Sequence, residues 1–175
     1  MRNYLARWTV GLLPLVCSLL FGCQSTVLPT GAIAKVERVV SGQTLDIIEV
    51  GKETSERVRL IGLDAPDLKQ EPWGMAAKAR LEQLIGKQSI LIESDEQKTD
   101  PKTERRLVYA WRNRQLLNEQ LIKDGYALAV PRLPNNKYDQ KLAHAQEFAR
   151  IMELGIWNPN QPMRLSPTEF RQQYR

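Results

Sequence analysis

The chain has 175 residues, 42% of them hydrophobic and 26% charged, which suits one globular domain of ordinary size. Its formal net charge of +5 favours acidic partners such as nucleic acid or an anionic surface. Both cysteines, Cys17 and Cys23, fall near the start, so a disulfide framework and a thiolate metal site are excluded for the domain that follows, and His144, the single histidine, has no second imidazole to pair with.

Residues 1–22 read as a signal peptide of lipoprotein type. Arg2 and Arg7 form a basic opening, an apolar stretch runs from Thr9 to Gly22, and Cys23 follows the small Gly22. That stretch falls short of the roughly 20 residues a membrane span needs. Cys23 is then the lipidated first residue of the mature chain, which implies a bacterial cell envelope location, lipid-anchored and facing the periplasm or exterior. Loss of Arg2 and Arg7 lowers the net charge from +5 to +3. Residues 23–31 read as a tether, 32–158 as the folded domain and 159–175 as a flexible tail. A monomer is expected.

From Ala32 the pattern is strand-like, with Val36, Val39 and Val40 leading into Ser41-Gly42-Gln43-Thr44. That tetrapeptide is a turn candidate because glycine tolerates positive φ. A second strand follows over Leu45–Val50 and a third over Arg57–Leu63. Ala77, Leu81, Leu84 and Ile85 then share one helical face, and Gly86 stands where a C-cap glycine belongs. A fourth strand is expected over Ser89–Glu93, a polar loop over 95–104, and a fifth strand through Leu107, Tyr109 and Trp111. Leu117 and Leu121 suggest a short helix ending at Gly125. Leu142, Ala145, Ala149 and Met152 mark a longer one that starts near Asn135-Asn136. Three strands, a helix and two strands fit an OB-fold barrel, and a small α+β sheet fits the same periodicity.

The chemistry concentrates in Arg57-Val58-Arg59-Leu60-Ile61-Gly62-Leu63-Asp64-Ala65-Pro66-Asp67. Guanidinium groups suit a phosphate, while carboxylates suit a hard cation or a water molecule. Arg105-Arg106 offers the other half of a phosphate clamp. Arg59-Leu60-Ile61-Gly62-Leu63-Asp64-Ala65-Pro66-Asp67 resembles the arginine strand and Asp-Thr/Ala-Pro-Glu motif of the staphylococcal nuclease-like (thermonuclease) family. Arg105-Arg106-Leu107-Val108-Tyr109 resembles its second-arginine strand, and Pro134-Asn135-Asn136 and Leu154-Gly155-Ile156-Trp157 are similar to two further landmarks. The matches run in order from about Lys35 to Trp157.

The resemblance implies an α+β, mainly β domain: an OB-fold five-stranded barrel with about three helices. It implies calcium-dependent hydrolysis of DNA or RNA. By position, Arg59 and Arg105 are the phosphate-binding arginines and Asp67 is the group that activates water. Asp64 and the Ala65 carbonyl are calcium ligands. The family's Asp-Gly-Asp-Thr turn is Ser41-Gly42-Gln43-Thr44 here, so Gln43 offers a neutral amide oxygen in place of a carboxylate. Asp67 is one methylene shorter than the family's glutamate, and the substrate-packing tyrosines are replaced by Pro131-Arg132-Leu133.

Hydrolysis of a phosphodiester needs an oriented water and positive charge where negative charge accumulates. Arg59, Arg105, Asp67 and a cation at Asp64 supply those parts, with Lys98 and Lys102 as further phosphate contacts. Without the resemblance, Asp64 and Asp67 would read as residues capping the bend around Pro66. Trp73, Tyr109, Trp111 and Trp157 read as core. The changes at 43 and 67 also admit a catalytically attenuated OB-fold module that binds nucleic acid without cutting it. A surface protein with a basic face is a third reading.

Overall fold

The structure, a computed structural model, describes residues 28–174. The expected signal peptide, Cys23 and the first part of the tether lie outside those residues. No helix among the described residues is long and apolar enough to cross a membrane.

Strand β1 (Ala32–Ser41) turns back as β2 (Thr44–Glu49), which pairs antiparallel with β3 (Glu56–Leu60). Gly62 breaks the expected longer third strand. Its φ of +74° redirects the chain, and Leu63–Asp64 become a separate short strand, β4. Helix α1 (Trp73–Ile85) follows and ends at Gly86, as its apolar spacing predicts. Strands β5 (Ile90–Glu93) and β6 (Arg106–Arg112) extend the sheet from β1, and β6 returns to β3 in parallel. That pairing closes five strands into a barrel in the order β3-β2-β1-β5-β6. A two-residue strand β7 (Gln115–Leu116) then leads into helix α2 (Leu117–Lys123). Strand β8 (Leu128–Ala129) pairs with β4, helix α3 (Asp139–Ile151) follows, and a 3-10 turn spans Gly155–Trp157. A fourth helix, α4 (Pro167–Gln173), exceeds the expected three.

Alternation along the strands sends Leu45, Ile47, Val58, Leu60, Ile90 and Ile92 inward, where Ala77, Leu81 and Ile85 of α1 cover them. The expected alternation fails in β6, where Val108 and Ala110 are as buried as Leu107 and Tyr109. Helix α2 accounts for this by packing on its outer side. Fully buried Asn118 of α2 accepts from the Ala110 N–H and donates to the Ile61 carbonyl, both at 2.9 Å, and so bridges β6 to the end of β3. Tyr109 and Trp111 are core, as expected, and pack edge-on against Tyr138.

The turn at 41–44 forms, for a different reason than the sequence suggests. Gly42 is not among the positive-φ glycines. It is needed because a Cβ there would lie 2.7 Å from the Ala77 Cβ and 2.9 Å from the Ala65 Cβ. The segment from 159, expected as a flexible tail, carries α4 and folds back. The Gln70 side chain donates to the Leu165 carbonyl at 2.7 Å, and the Met163 N–H donates to the Ile156 carbonyl at 3.0 Å.

Candidate nucleic-acid cleavage site

One cleft of about 730 Å³ opens where the 41–44 turn, β3, the 64–69 bend, the 100–105 loop, the 130–132 segment and α4 meet. Seven cationic and three anionic side chains line it. Such a surplus of positive charge within walls of low dielectric selects a polyanion.

Arg59 reaches the cleft because β3 alternates. Val58 and Leu60 point into the core, so Arg57 and Arg59 point out. Arg57 is held on the barrel wall by Asp46, at 2.7 Å. Arg59 is largely buried. Burial lowers its pKa, Asp64 opposes that shift, and the charges of Arg132, Arg105 and Arg171 add to it. An arginine remains charged under such pressure, and its poor hydration makes an incoming phosphate a favourable partner.

Arg105 stands just before β6, whose parallel register sets Leu107 beside Arg59. Its Nε donates to Thr103 at 3.0 Å and its Nη1 to Thr44 at 3.4 Å. Both expected phosphate-binding arginines therefore line the same cleft, with Asp64, Asp67, Gln43 and Lys102. Lys98 is exposed and Ala65 is fully buried, and neither lines the cleft.

Asp67 is half-buried at the mouth, and its Oδ1 accepts from the Lys69 N–H at 3.1 Å. Its second oxygen accepts no hydrogen bond from any described residue and can take a proton from a water. Gln43 turns its Oε1 onto the Ala65 N–H at 2.9 Å, which fixes the bend carrying Asp64 to the turn between β1 and β2.

The sequence alone did not single out four residues of this site. Arg132 donates to Asp100 at 2.7 Å. Burial raises the Asp100 pKa, but the Lys102 N–H and the Arg132 charge outweigh that and hold it below the ordinary carboxylate range. From α4, Arg171 places Nη2 at 2.7 and 2.6 Å from the two Asp64 oxygens, and Thr168 donates to Oδ2 at 2.9 Å. Arg59 lies 3.8 Å from the same carboxylate. A signal for α4 does exist in Ser166-Pro167-Thr168-Glu169. This capping box, with proline at the first helical position, is formed in both directions.

A calcium ion needs six to eight oxygen ligands, several of them carboxylate. Here Asp64 already accepts from Arg171 on both oxygens and from Thr168 on one, the neutral Gln43 oxygen accepts a backbone N–H, and Asp67 is the one other carboxylate on the bend. Among the described residues no group of three or more His, Cys, Asp or Glu side chains could hold a metal. So arranged, the donor set does not fit calcium.

Comparison with known proteins agrees with the fold. The family model described as staphylococcal nuclease homologue matches residues 57–159. A thermonuclease of Staphylococcus hyicus is 32% identical over 129 residues, covering 71% of this chain and 75% of that protein. A thermonuclease of Staphylococcus intermedius is 35% identical over 127 residues, covering 70% and 74%. Endonuclease YncB of Bacillus subtilis (strain 168) is 28% identical over 129 residues, covering 70% and 60%. A five-stranded barrel closed in parallel, with two arginines meeting in one cleft over an Asp-Ala-Pro-Asp bend, and matches of this extent have one common explanation: the chain belongs to the staphylococcal nuclease homologue family.

Proposed function

We propose that the chain is a nuclease that hydrolyses phosphodiester bonds of DNA or RNA in this cleft. The observation that carries the reading is the meeting of Arg59, Arg105 and Asp67 around one basic cavity. The relatives named thermonuclease and endonuclease support it. In the reaction a water oxygen bonds to phosphorus while one P–O ester bond breaks. The water gives its proton to Asp67, and the departing oxygen takes one from solvent. Arg59 and Arg105 grip the non-bridging oxygens, whose negative charge grows in the transition state. Removing one such preorganised donor costs about 100-fold or more in rate. Calcium, expected from the family resemblance, would meet Arg171 already seated on both oxygens of Asp64.

The proposed setting is the bacterial cell envelope, with Cys23 lipidated after removal of residues 1–22. The basic opening and short apolar run of the sequence support this.

The test is digestion of plasmid DNA and of a single-stranded RNA by the purified chain, with and without calcium. Arg59→Ala and Asp67→Asn should each slow cleavage about 100-fold, with circular dichroism showing both variants folded. Intact substrate under every condition removes the reading. A second reading, a module that binds without cutting, is favoured by the neutral Gln43 and by the saturation of Asp64. It predicts a gel shift with no products.

A further inference from the structure

We propose that Arg171 is the resident cation of the cleft. Its guanidinium takes the place on Asp64 that a metal ion would take, so that cleavage, on the nuclease reading above, proceeds without a divalent cation.

Three independent features point the same way. The first is geometry. One nitrogen, Arg171 Nη2, sits 2.7 and 2.6 Å from the two oxygens of a carboxylate whose side chain is 7% exposed, bridging both as a bound cation would. Thr168 fills a further lone pair of that carboxylate at 2.9 Å. A metal taking Arg171's place on Asp64 would have to break a part-buried charged pair and leave Arg171 beside the charge of Arg59. Stripping one partner from a buried pair is strongly unfavourable.

The second feature is charge. A divalent ion is matched by several carboxylates. Gln43 is neutral, brings no charge to match a divalent ion, and turns its amide oxygen to the Ala65 N–H. A single guanidinium charge suits the one carboxylate that remains at that point. The third is construction. Residue 171 is 107 positions away from Asp64 and lies beyond the stretch matched by the family model. It arrives on a helix with its own capping box, tied back through Leu165 to Gln70 and with Pro167 buried.

A guanidinium does not acidify water as a metal ion does, so the base work falls on Asp67 alone. Arg171 contributes positive charge beside the phosphate and holds the Asp64 bend in place. The proton and bond changes are those of the hydrolysis above, and no co-reactant besides water is required.

The experiment follows cleavage of a fluorogenic single-stranded DNA by the full chain, in chelator and in calcium, alongside Tm in both buffers. The wild type should cut at the same rate in chelator as in calcium, and calcium should leave its Tm unchanged. Arg171→Ala should cut at least about tenfold more slowly in chelator. Its exposed Asp64 should now take up the ion, so calcium should raise its Tm. The double variant Gln43→Asp with Arg171→Ala, which restores a second carboxylate, should show the larger calcium shift. Arg171→Lys keeps the charge without the planar fork and should fall between wild type and alanine, which serves should Arg171→Ala fail to fold.

Wild-type cleavage in calcium but not in chelator overturns the proposal and leaves the nuclease reading intact. A calcium-dependent rise in the wild-type Tm equal to that of Arg171→Ala overturns it too. So does faster calcium-dependent cleavage by Arg171→Ala, which would make α4 a removable cover. Absence of cleavage in both buffers removes this proposal and the nuclease reading together.

Discussion

At Gly42 the first hairpin presses so closely on α1 and on the 64–67 bend that a single methyl group has no room. The neighbouring Gln43 ties that same bend to the hairpin through Ala65. Gly42→Ala should therefore act twice. Overpacking should lower stability by about 1–3 kcal/mol in urea denaturation. The displaced turn should also loosen Gln43 and slow cleavage. At this scale the sequence is most legible where chemistry is written contiguously. Arg59, Asp64 and Asp67 sit within nine residues, and Arg105 heads a recognisable strand. Arg132 and Arg171 are invisible to the same reading because their partners lie 32 and 107 positions away, and neither belongs to a periodic pattern. Gly42 was picked out for the wrong property, since a turn glycine can be required by space as well as by φ.

Among the elements, the three strands at the front of the barrel are joined by a ladder of charge. Asp46 of β2 sits directly across from Arg38 of β1 and Arg57 of β3, and both guanidiniums bond to it, at 2.6 and 2.7 Å. Cross-strand opposite charges of this kind stabilise a sheet. The hydrogen bond from Arg57, with a smaller contribution from Arg38, outweighs burial and brings the Asp46 pKa down to about 2. A lowered carboxylate contributes stability above its unfolded pKa, about 3.9, and that contribution is lost as pH falls through the folded value. The Tm of the wild type should therefore drop between about pH 4 and pH 2, and Asp46→Asn should flatten that part of the curve while lowering Tm at neutral pH.

Periodicity located every strand of this barrel and the buried faces of α1, α2 and α3, yet misplaced boundaries where side chains compete. The helix expected near Asn135 begins at Asp139, because buried Asn135 spends its amide on both backbone groups of Gln97 and so pins the 95–104 loop. Glu93, at the end of β5, likewise gathers Trp111, Lys137 and Tyr138 at the entry to α3. Such contacts join distant segments and leave no local pattern.

For the molecule as a whole, the balance of charge in the cleft matters more than the overall +5. Arg57, Arg132 and Arg171 are engaged by Asp46, Asp100 and Asp64, which leaves Arg59, Arg105, Lys102 and Lys69 to meet a phosphate backbone. Three to four such contacts give a slope of about −2 to −3 for log affinity against log salt on a single strand. A fluorescence anisotropy titration with a cleavage-deficient Asp67→Asn chain should show that slope, and Arg59→Ala should make it shallower by about one contact. The parallel seam between β3 and β6 has its own consequence. Arg59 is in register with Leu107, two positions past Arg105, so one jaw of the clamp sits in β3 and the other immediately precedes the strand paired with it. With strands about 4.8 Å apart, the seam holds the backbone of Arg59 and the residue after Arg105 at a set spacing. A slip of one residue would turn Arg59 into the core, so the gap cannot widen by small steps. Accommodation of bulkier or slimmer polymers is thereby left to a part outside the seam, the 130–132 segment that lines the other side of the cleft.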